Sequence, residues 1–179
     1  YEVKDALDQN NFRNLPTRLP KVAFGRLLLP SVIPKDIDWV LYLDCDLIVV
    51  DDVSKMFEEF KSTAHPISAA PNLGPSLFQD ALHLRHVKAA QNIPKNTGYF
   101  NSGVQIINLT KWRQEDISSK IFQFVKTHYK TLRFTDQDAS NIIISGNWKR
   151  IPSRWNQIHL YHTLDHSETT GIGAEEWHK

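Results

Sequence analysis

The feature that most constrains this chain is a pair of carboxylates, Asp44 and Asp46, inside the otherwise apolar run Trp39–Val50. Runs of this length that are rich in Val, Ile, Leu and aromatic residues predict a buried strand. Burying an unpaired carboxylate is costly, so something must compensate these two. Residues two apart in a strand share a face, so we expect both carboxylates to point the same way. Cys45 is expected to point the other way, as a small buried hydrophobe.

Two oxygen ligands that converge on one point suit a hard divalent cation such as Mn²⁺, with Mg²⁺ as the alternative. A cation held at the carboxyl end of a strand is well placed to bind a diphosphate. The other interpretation is that Asp-x-Asp forms an ordinary solvated turn. The flanks favour the metal, because a solvated turn does not need apolar residues on both sides. The run therefore predicts a metal-diphosphate site at Asp44 and Asp46.

Size and charge exclude some classes of protein. The 179 residues suit one domain, residues 1–179. The 21 basic and 20 acidic residues nearly balance, which argues against a nucleic-acid partner. One cysteine cannot form an internal disulfide, so we expect a reducing, cytoplasmic setting. Because Tyr1 is not a methionine, we also expect the chain to begin inside a longer protein.

Apolar strand patterns alternate with helical patterns along the chain. Strands are predicted at residues 39–50, 66–70, 104–108 and 148–151, and helices at 21–29, 51–60, 79–90, 110–129 and 135–145. This order predicts an α/β fold with a mostly parallel central sheet flanked by helices. Ligands bind outside the carboxyl ends of strands in such sheets. We therefore expect the two aspartates and the turn Gly98–Gly103 to face one crevice.

Two polar segments could carry chemistry. Asn101 and Ser102 lie between two glycines, which would allow close approach to a ligand, or would simply form a turn. The Thr135–Asp138 spacing resembles a capping box, and from the residues alone a helix cap is favoured. The free N–H groups of a helix start, together with Asp136 and Gln137, leave a binding role open.

Arg26 lies on an apolar helical segment, where it would either snorkel out of the core or pair with a phosphate. His83 and His86 lie three residues apart on a predicted helix, and neighbouring basic residues favour a solvated face over a metal site. Three histidines near the carboxyl end are candidates for a third metal ligand: His159, His162 and His166.

Five segments, taken in order, resemble glycosyltransferase family 8, which includes bacterial lipopolysaccharide glucosyl- and galactosyltransferases and is related to glycogenin. They are residues 24–30 (FGRLLLP), 40–46 (VLYLDCD), 100–113 (FNSGVQIINLTKWR), 134–141 (FTDQDASN) and 152–156 (PSRWN). The resemblance implies a GT-A fold, Mn²⁺, a UDP-glucose or UDP-galactose donor, and transfer with retention of configuration. It implies a saccharide or glycolipid acceptor such as lipopolysaccharide, and peripheral attachment to the inner membrane face.

The resemblance also implies roles for individual residues. The metal ligands would be Asp44, Asp46 and His166. Arg26, Asp44, Asp46, Ser102 and Gly103 would bind the donor. Asn101, Asp136 and Gln137 would be the catalytic residues, with Gln137 near the reacting anomeric face. No carboxylate nucleophile is obvious, which favours front-face attack by the acceptor as UDP leaves.

The chain departs from the family pattern at both ends. The strand and helix that hold the uridine would precede Tyr1, so we expect a partial domain without that unit. The family's carboxyl-terminal His-x-x-Gly segment is matched poorly by the residues from His166 to Gly171.

Two other functions stay open. One is a nucleotide-sugar or saccharide-binding module that has lost turnover, although the intact Asp-x-Asp and Asp-Gln-Asp motifs argue against it. The other is a haloacid-dehalogenase-type phosphatase, with Asp44 as nucleophile and Asp46 as acid/base. That family needs later lysine and paired-acid motifs, which have no convincing match in this sequence.

Overall fold

A computed structural model describes residues 21–157 of the protein. The strands are β1 (Trp39–Leu43), β2 (Ile67–Pro71), β3 (Phe100–Asn108) and β4 (Lys149–Arg150). The α-helices are α1 (Leu29–Val32), α2 (Val53–Phe60), α3 (Lys88–Gln91), α4 (Leu109–Gln114), α5 (Ile117–His128) and α6 (Thr135–Ile144). Short 3₁₀ helices span Lys21–Leu28, Leu82–Leu84 and Ser153–Trp155.

The strands form one sheet in the order β1-β3-β2-β4. The predicted α/β class is confirmed, but the prediction of mostly parallel pairing is wrong for the described strands. Strand β3 pairs antiparallel with both β1 and β2, and β2 pairs parallel with β4. Thus β1, β2 and β4 run in one direction, and β3 lies between β1 and β2 in the other. Residues 72–99, which link β2 to β3, contain one-turn helices and no long crossover helix, so β3 returns antiparallel.

Strand β1 is shorter than its apolar sequence predicts. Its ladder with β3 ends where Leu43 pairs with Val104, and the chain then turns at residues 45–46. The aspartates therefore follow the strand instead of lying within it. Cys45 is exposed, and Ile48 and Val50 are 89% and 91% exposed, so the prediction that these residues are buried is wrong. An apolar run does not reveal where a strand loses its pairing partner.

The structure confirms some of the predicted helices and divides or shortens others. Helix α2 lies within the predicted range 51–60, and its N-cap Asp52 accepts a hydrogen bond from the Ser54 N–H at 2.9 Å. The predicted helix 110–129 is split into α4 and α5 at Asp116, which has a φ of 50°. Helix α4 begins at Leu109, one residue before the predicted start, with Asn108 as its cap accepting from the Lys111 N–H. The predicted helix 79–90 is reduced to single turns, whereas helix 135–145 is confirmed as α6.

The sheet is covered on both faces. Neighbouring residues of a strand point to opposite faces, so Ile106 and Ile107 of β3 enter different hydrophobic clusters. The larger cluster includes Trp112 of α4, and the smaller one includes Met56 of α2. Strand β3 is thus packed on both faces, and its first residues lie at the end of the sheet where β1 and β2 finish. Across the described part of the chain, no helix has the length and apolar character that crossing a bilayer requires.

Candidate active site

The candidate site lies where β1 and β2 end and β3 begins. Asp44 follows β1, and its N–H donates to the Gly103 carbonyl at 2.9 Å. Asn72 follows β2, and its N–H donates to the Tyr99 carbonyl at 3.0 Å. The structure brings Asp44 together with Asn101–Gly103, as the sequence predicts. Those residues form the start of β3, however, and not part of the predicted turn.

Arg26 is the buried cation of the site. It is 4% exposed, and its Nη2 lies 3.1 Å from Asp44 Oδ1 and 3.3 Å from Asp136 Oδ2. Its Nη1 donates to the Ser102 carbonyl. The guanidinium also lies over the Tyr42 ring, 4.4 Å from the ring centroid. Arg26 therefore does not snorkel to the surface, and its forked donors hold two carboxylates and the start of β3 together.

Tyr42 orients the Asp44 carboxylate. Its hydroxyl donates to Asp44 Oδ1 at 2.8 Å. Burial raises the pKa of Tyr42 to about 12, although the neighbouring Arg26 charge opposes the rise. The hydroxyl therefore stays protonated and keeps donating at neutral pH. Asp44 Oδ1 thus accepts from Tyr42 and Arg26, whereas Oδ2 accepts no hydrogen bond from the described residues.

Asp136 lies in the first turn of α6 and is nearly buried. Burial raises the pKa of its carboxyl, and the attraction of Arg26 offsets part of that rise. When both carboxyls are ionised, Asp44 and Asp136 together carry more negative charge than Arg26 neutralises. The site therefore favours an additional cation.

Gln137 is held by hydrogen bonds at both ends of its amide. Its Oε1 accepts from the Ser102 N–H at 3.0 Å and from the Ser102 hydroxyl at 3.3 Å. Its Nε2 lies 3.3 Å from Asn72 Oδ1 and 3.3 Å from the Tyr99 hydroxyl. The side chain is thus fixed between α6, β2 and β3.

Asn101 is fixed by two further asparagines. Its Nδ2 donates to Asn72 Oδ1 at 3.1 Å, and its Oδ1 accepts from Asn156 Nδ2 at 2.8 Å. The sequence reasoning did not single out Asn72 or Asn156 as site residues. The position of Asn72 directly after a buried strand was the available signal, because ligands collect at such strand ends.

Gly103 is required by close approach. A Cβ at this position would lie 3.1 Å from both Asn101 Oδ1 and Asp44 Oδ2. A side chain here would therefore press on the Asp44 oxygen to which Arg26 does not hydrogen-bond. Gly98, the other glycine of this motif, is required for a different contact, because a Cβ there would meet the Trp148 ring at 2.8 Å.

Asp44 and Asp46 supply the carboxylate oxygens that could hold a divalent cation. Asp46 is exposed, in the turn that follows Asp44. Hard carboxylate donors, with an Asp44 oxygen that accepts no hydrogen bond from residues 21–157, fit Mn²⁺ or Mg²⁺. Residues 21–157 contain no cluster of three or more potential metal ligands. The histidine proposed as third ligand, His166, lies outside the described residues, as do His159 and His162.

Asp138 does not form the capping box that the sequence predicts. Phe134, not Thr135, occupies the N-cap position of α6, and Asp138 Oδ2 accepts from the N–H groups of Arg133 and Phe134. The prediction of a solvated His83 is also wrong, because its Nε2 lies 2.8 Å from Asp138 Oδ1 and its side chain is 17% exposed. His86 is exposed, as expected.

The chain is similar in sequence to curated proteins, several of which are named as glycosyltransferases. It is 30% identical over 144 residues to general stress protein A of Bacillus subtilis, covering 78% of this chain and 46% of the relative. It is 27% identical over 161 residues to lipopolysaccharide 1,2-glucosyltransferase of Escherichia coli, covering 88% and 43%. The chain therefore spans less than half the length of these two relatives.

The fold matches a solved glycosyltransferase. The galactosyltransferase LgtC, determined in complex with donor and acceptor sugar analogues, superposes with a TM-score of 0.70 at 27% identity, over 89% of this chain and 56% of LgtC. GlyE of Streptococcus pneumoniae superposes with a TM-score of 0.59 at 25% identity, over 81% and 32%. These neighbours confirm the predicted GT-A fold. Since the model for "Glycosyl transferase family 8" matches residues 1–174, the chain belongs to glycosyltransferase family 8.

Proposed function

We propose that this protein is a retaining hexosyltransferase that moves glucose or galactose from a UDP-sugar to a saccharide acceptor, with Mn²⁺ or Mg²⁺ at Asp44 and Asp46. Family membership supports glycosyl transfer from a nucleotide sugar. The relatives named as a lipopolysaccharide glucosyltransferase and a galactosyltransferase support a hexose. An acceptor of the lipopolysaccharide or cell-surface glycan class, and a cytoplasmic location at the inner membrane face, belong to the same proposal.

The observation that carries this proposal is the buried Arg26 guanidinium between Asp44 and Asp136. It fixes one carboxylate at the end of β1 and another at the start of α6. Because Tyr42 and Arg26 both hydrogen-bond to Asp44 Oδ1, none of residues 21–157 donates to Oδ2, which would be the oxygen offered to a cation. A divalent cation bound there would act as a Lewis acid and stabilise negative charge on the departing diphosphate.

The remaining side chains suit the sugar that is transferred. Asn101 lies at the start of β3, Gln137 accepts from Ser102 there, and Asp136 pairs with Arg26, which donates to the Ser102 carbonyl. Together they would offer a carboxylate and two amides to sugar hydroxyls. In a front-face reaction the acceptor oxygen bonds to the anomeric carbon as the bond to the UDP phosphate oxygen breaks. That bond's electron pair leaves with UDP, and the departing phosphate oxygen takes the acceptor's proton.

The test is the thermal midpoint of the protein with UDP, with and without Mn²⁺. A ligand at 100 times its dissociation constant stabilises by about 2.7 kcal/mol. For a chain of this size that corresponds to a rise of about 5 to 10 °C. The shift should require Mn²⁺ and should be lost in Asp46→Asn and Asp44→Ala.

The matched control is Asp36→Asn, an exposed aspartate that precedes β1. It should keep the full Mn²⁺-dependent shift. A UDP shift of equal size in Asp46→Asn, or one that does not need the metal, would overturn the proposed metal site.

A further inference from the structure

A buried chain of hydrogen bonds leads from His83 to Gln137. His83 Nε2 lies 2.8 Å from Asp138 Oδ1, and the same oxygen accepts from the Tyr99 hydroxyl. The Tyr99 oxygen in turn accepts from Gln137 Nε2 at 3.3 Å. His83 belongs to the 3₁₀ helix Leu82–Leu84, and none of the proposed metal or sugar residues lies on that helix.

Asp138 determines the direction of this chain. Its side chain is 0% exposed, and its Oδ2 is occupied by the N–H groups of Arg133 and Phe134 at 3.0 and 2.8 Å. Oδ1 therefore accepts from the other two partners, His83 and Tyr99. A tyrosine hydroxyl has one proton, and here that proton goes to Asp138. Burial and the Asp138 charge raise the pKa of Tyr99, so the hydroxyl stays protonated.

Because Tyr99 donates to Asp138, its oxygen is left as an acceptor for Gln137. A glutamine amide has two orientations, related by a flip that exchanges its oxygen and its nitrogen. In the observed orientation Nε2 faces two acceptors, Tyr99 Oη and Asn72 Oδ1, and Oε1 faces the Ser102 N–H. The flipped amide would place Oε1 against both acceptors and Nε2 against a donor.

We propose that His83, Asp138 and Tyr99 are positioning residues, which fix the Gln137 amide with its oxygen toward Ser102 and the donor-sugar side. The inference rests on the proposed function for the catalytic role of Gln137. His83 completes the arrangement from outside α6, and its ring packs edge-to-face on Tyr99 and Phe134 at centroid distances of 6.4 and 5.6 Å. The loop between β2 and β3 thereby determines the geometry of a residue on α6.

The kinetic test compares Tyr99→Phe with Tyr129→Phe. Both substitutions delete one tyrosine hydroxyl, but Tyr129 lies at the end of α5, against the core, and within residues 21–157 it makes no hydrogen bond to this chain. Tyr99→Phe should lower kcat about tenfold or more, since one lost fixing hydrogen bond costs about that factor. The KM for the UDP-sugar should change less than twofold. An unchanged kcat in Tyr99→Phe would overturn the inference.

A rescue experiment tests His83 in the same way. His83→Phe keeps a ring but removes the nitrogen that meets Asp138, whereas His83→Gln restores an N–H donor. We expect kcat to fall in the first variant and to recover at least partly in the second. Equal kcat values for the two variants would contradict a positioning role for this nitrogen.

A readout without turnover separates this inference from the proposed function. The side-chain NH₂ of Gln137, assigned in ¹H–¹⁵N NMR spectra by its loss in Gln137→Glu, should exchange slowly with solvent. In Tyr99→Phe we expect its exchange to accelerate at least tenfold, and in Tyr129→Phe to stay unchanged. Unchanged exchange in Tyr99→Phe would overturn the positioning role, whether or not transfer is observed. Failure of the wild-type protein to transfer any sugar, with the exchange result as expected, would instead count against the proposed function.

Discussion

The Arg26 guanidinium lies 3.3 Å from the Asp136 carboxylate, although one residue precedes β1 and the other begins α6. Its second carboxylate partner, Asp44, lies at the end of β1. A single buried cation thus joins three separate segments of the chain at the candidate site. Because Arg26 and Asp136 are buried and Asp44 is about one-third exposed, the arrangement is sensitive to the shape of the cation as well as to its charge.

We expect Arg26→Lys to lower kcat/KM about 100-fold, which is about 2.7 kcal/mol of transition-state stabilisation. A lysine ammonium keeps the charge but lacks the fork that reaches Asp44, Asp136 and the Ser102 carbonyl together. The measurement is steady-state transfer kinetics, with the exposed Arg85→Lys as the control. Retention of wild-type kcat/KM in Arg26→Lys would show that the fork is dispensable.

Gly103→Ala should weaken Mn²⁺-dependent UDP binding by about tenfold or more, or about 1.4 kcal/mol. The new methyl group would lie 3.1 Å from Asp44 Oδ2, so the carboxylate must move away from its cation-binding position. Isothermal titration of UDP in the presence of Mn²⁺ measures this effect. Gly98→Ala, whose Cβ would press on Trp148, serves as a control that should lower the thermal midpoint but leave UDP affinity unchanged.

The pH dependence of stability should report on Asp136. Its pKa in the folded protein lies above the ordinary value of 3.8. The stability contributed by this carboxyl is therefore fully present below pH 3.8 and is lost as the pH rises through the raised pKa. Asp136→Asn cannot lose a proton, so its thermal midpoint relative to the wild type should increase between pH 4 and pH 7.

At pH 7 we expect Asp136→Asn to be as stable as the wild type, or more stable by about 2 °C, while transfer activity is abolished. Thermal melts across the pH range and activity at pH 7 measure both effects. A variant that is clearly less stable than the wild type at pH 7 would mean that the Arg26 pairing outweighs the cost of burying this charge.

Arg113 of α4 gives a prediction for stability alone. Its guanidinium donates to five carbonyls between Pro30 and Ile37, at distances of 3.0 to 3.4 Å. Arg113→Lys should cost about 3 kcal/mol, because several of these carbonyls lose a charged donor. Such a loss would lower the thermal midpoint by about 6 to 12 °C. The kcat, measured where both proteins are folded, should be unaffected; a small change in midpoint would contradict the structural role.

Part of the fold follows directly from the sequence. The apolar stretches at β1 and β2 and the helices α2 and α6 were all predicted, because local sequence patterns determine them. The antiparallel position of β3 was not predictable in this way. Strand pairing depends on contacts between residues that are distant in the sequence, and the alternation of strands with helices does not determine which strands pair or in which direction.

The candidate site shows the same division. Asp44 was found from its own neighbourhood, since a carboxylate beside an apolar strand needs an explanation. Arg26 had an equally good structural interpretation when taken alone, and for Asp136 and Gln137 a helix cap was favoured; the resemblance selected the functional roles of all three. Asn72 was missed because its importance lies in partners from other segments, Asn101 and Gln137.

The most direct test of the central claim is UDP release from UDP-glucose and UDP-galactose, with Mn²⁺ or with a chelator, for the wild type and Asp46→Asn. Asp51→Asn, an exposed aspartate farther along the same loop, is the control. We predict metal-dependent UDP release by the wild type and by Asp51→Asn, and no release above background by Asp46→Asn. Full activity in Asp46→Asn, or release that persists in the chelator, would contradict the proposed metal-dependent transfer.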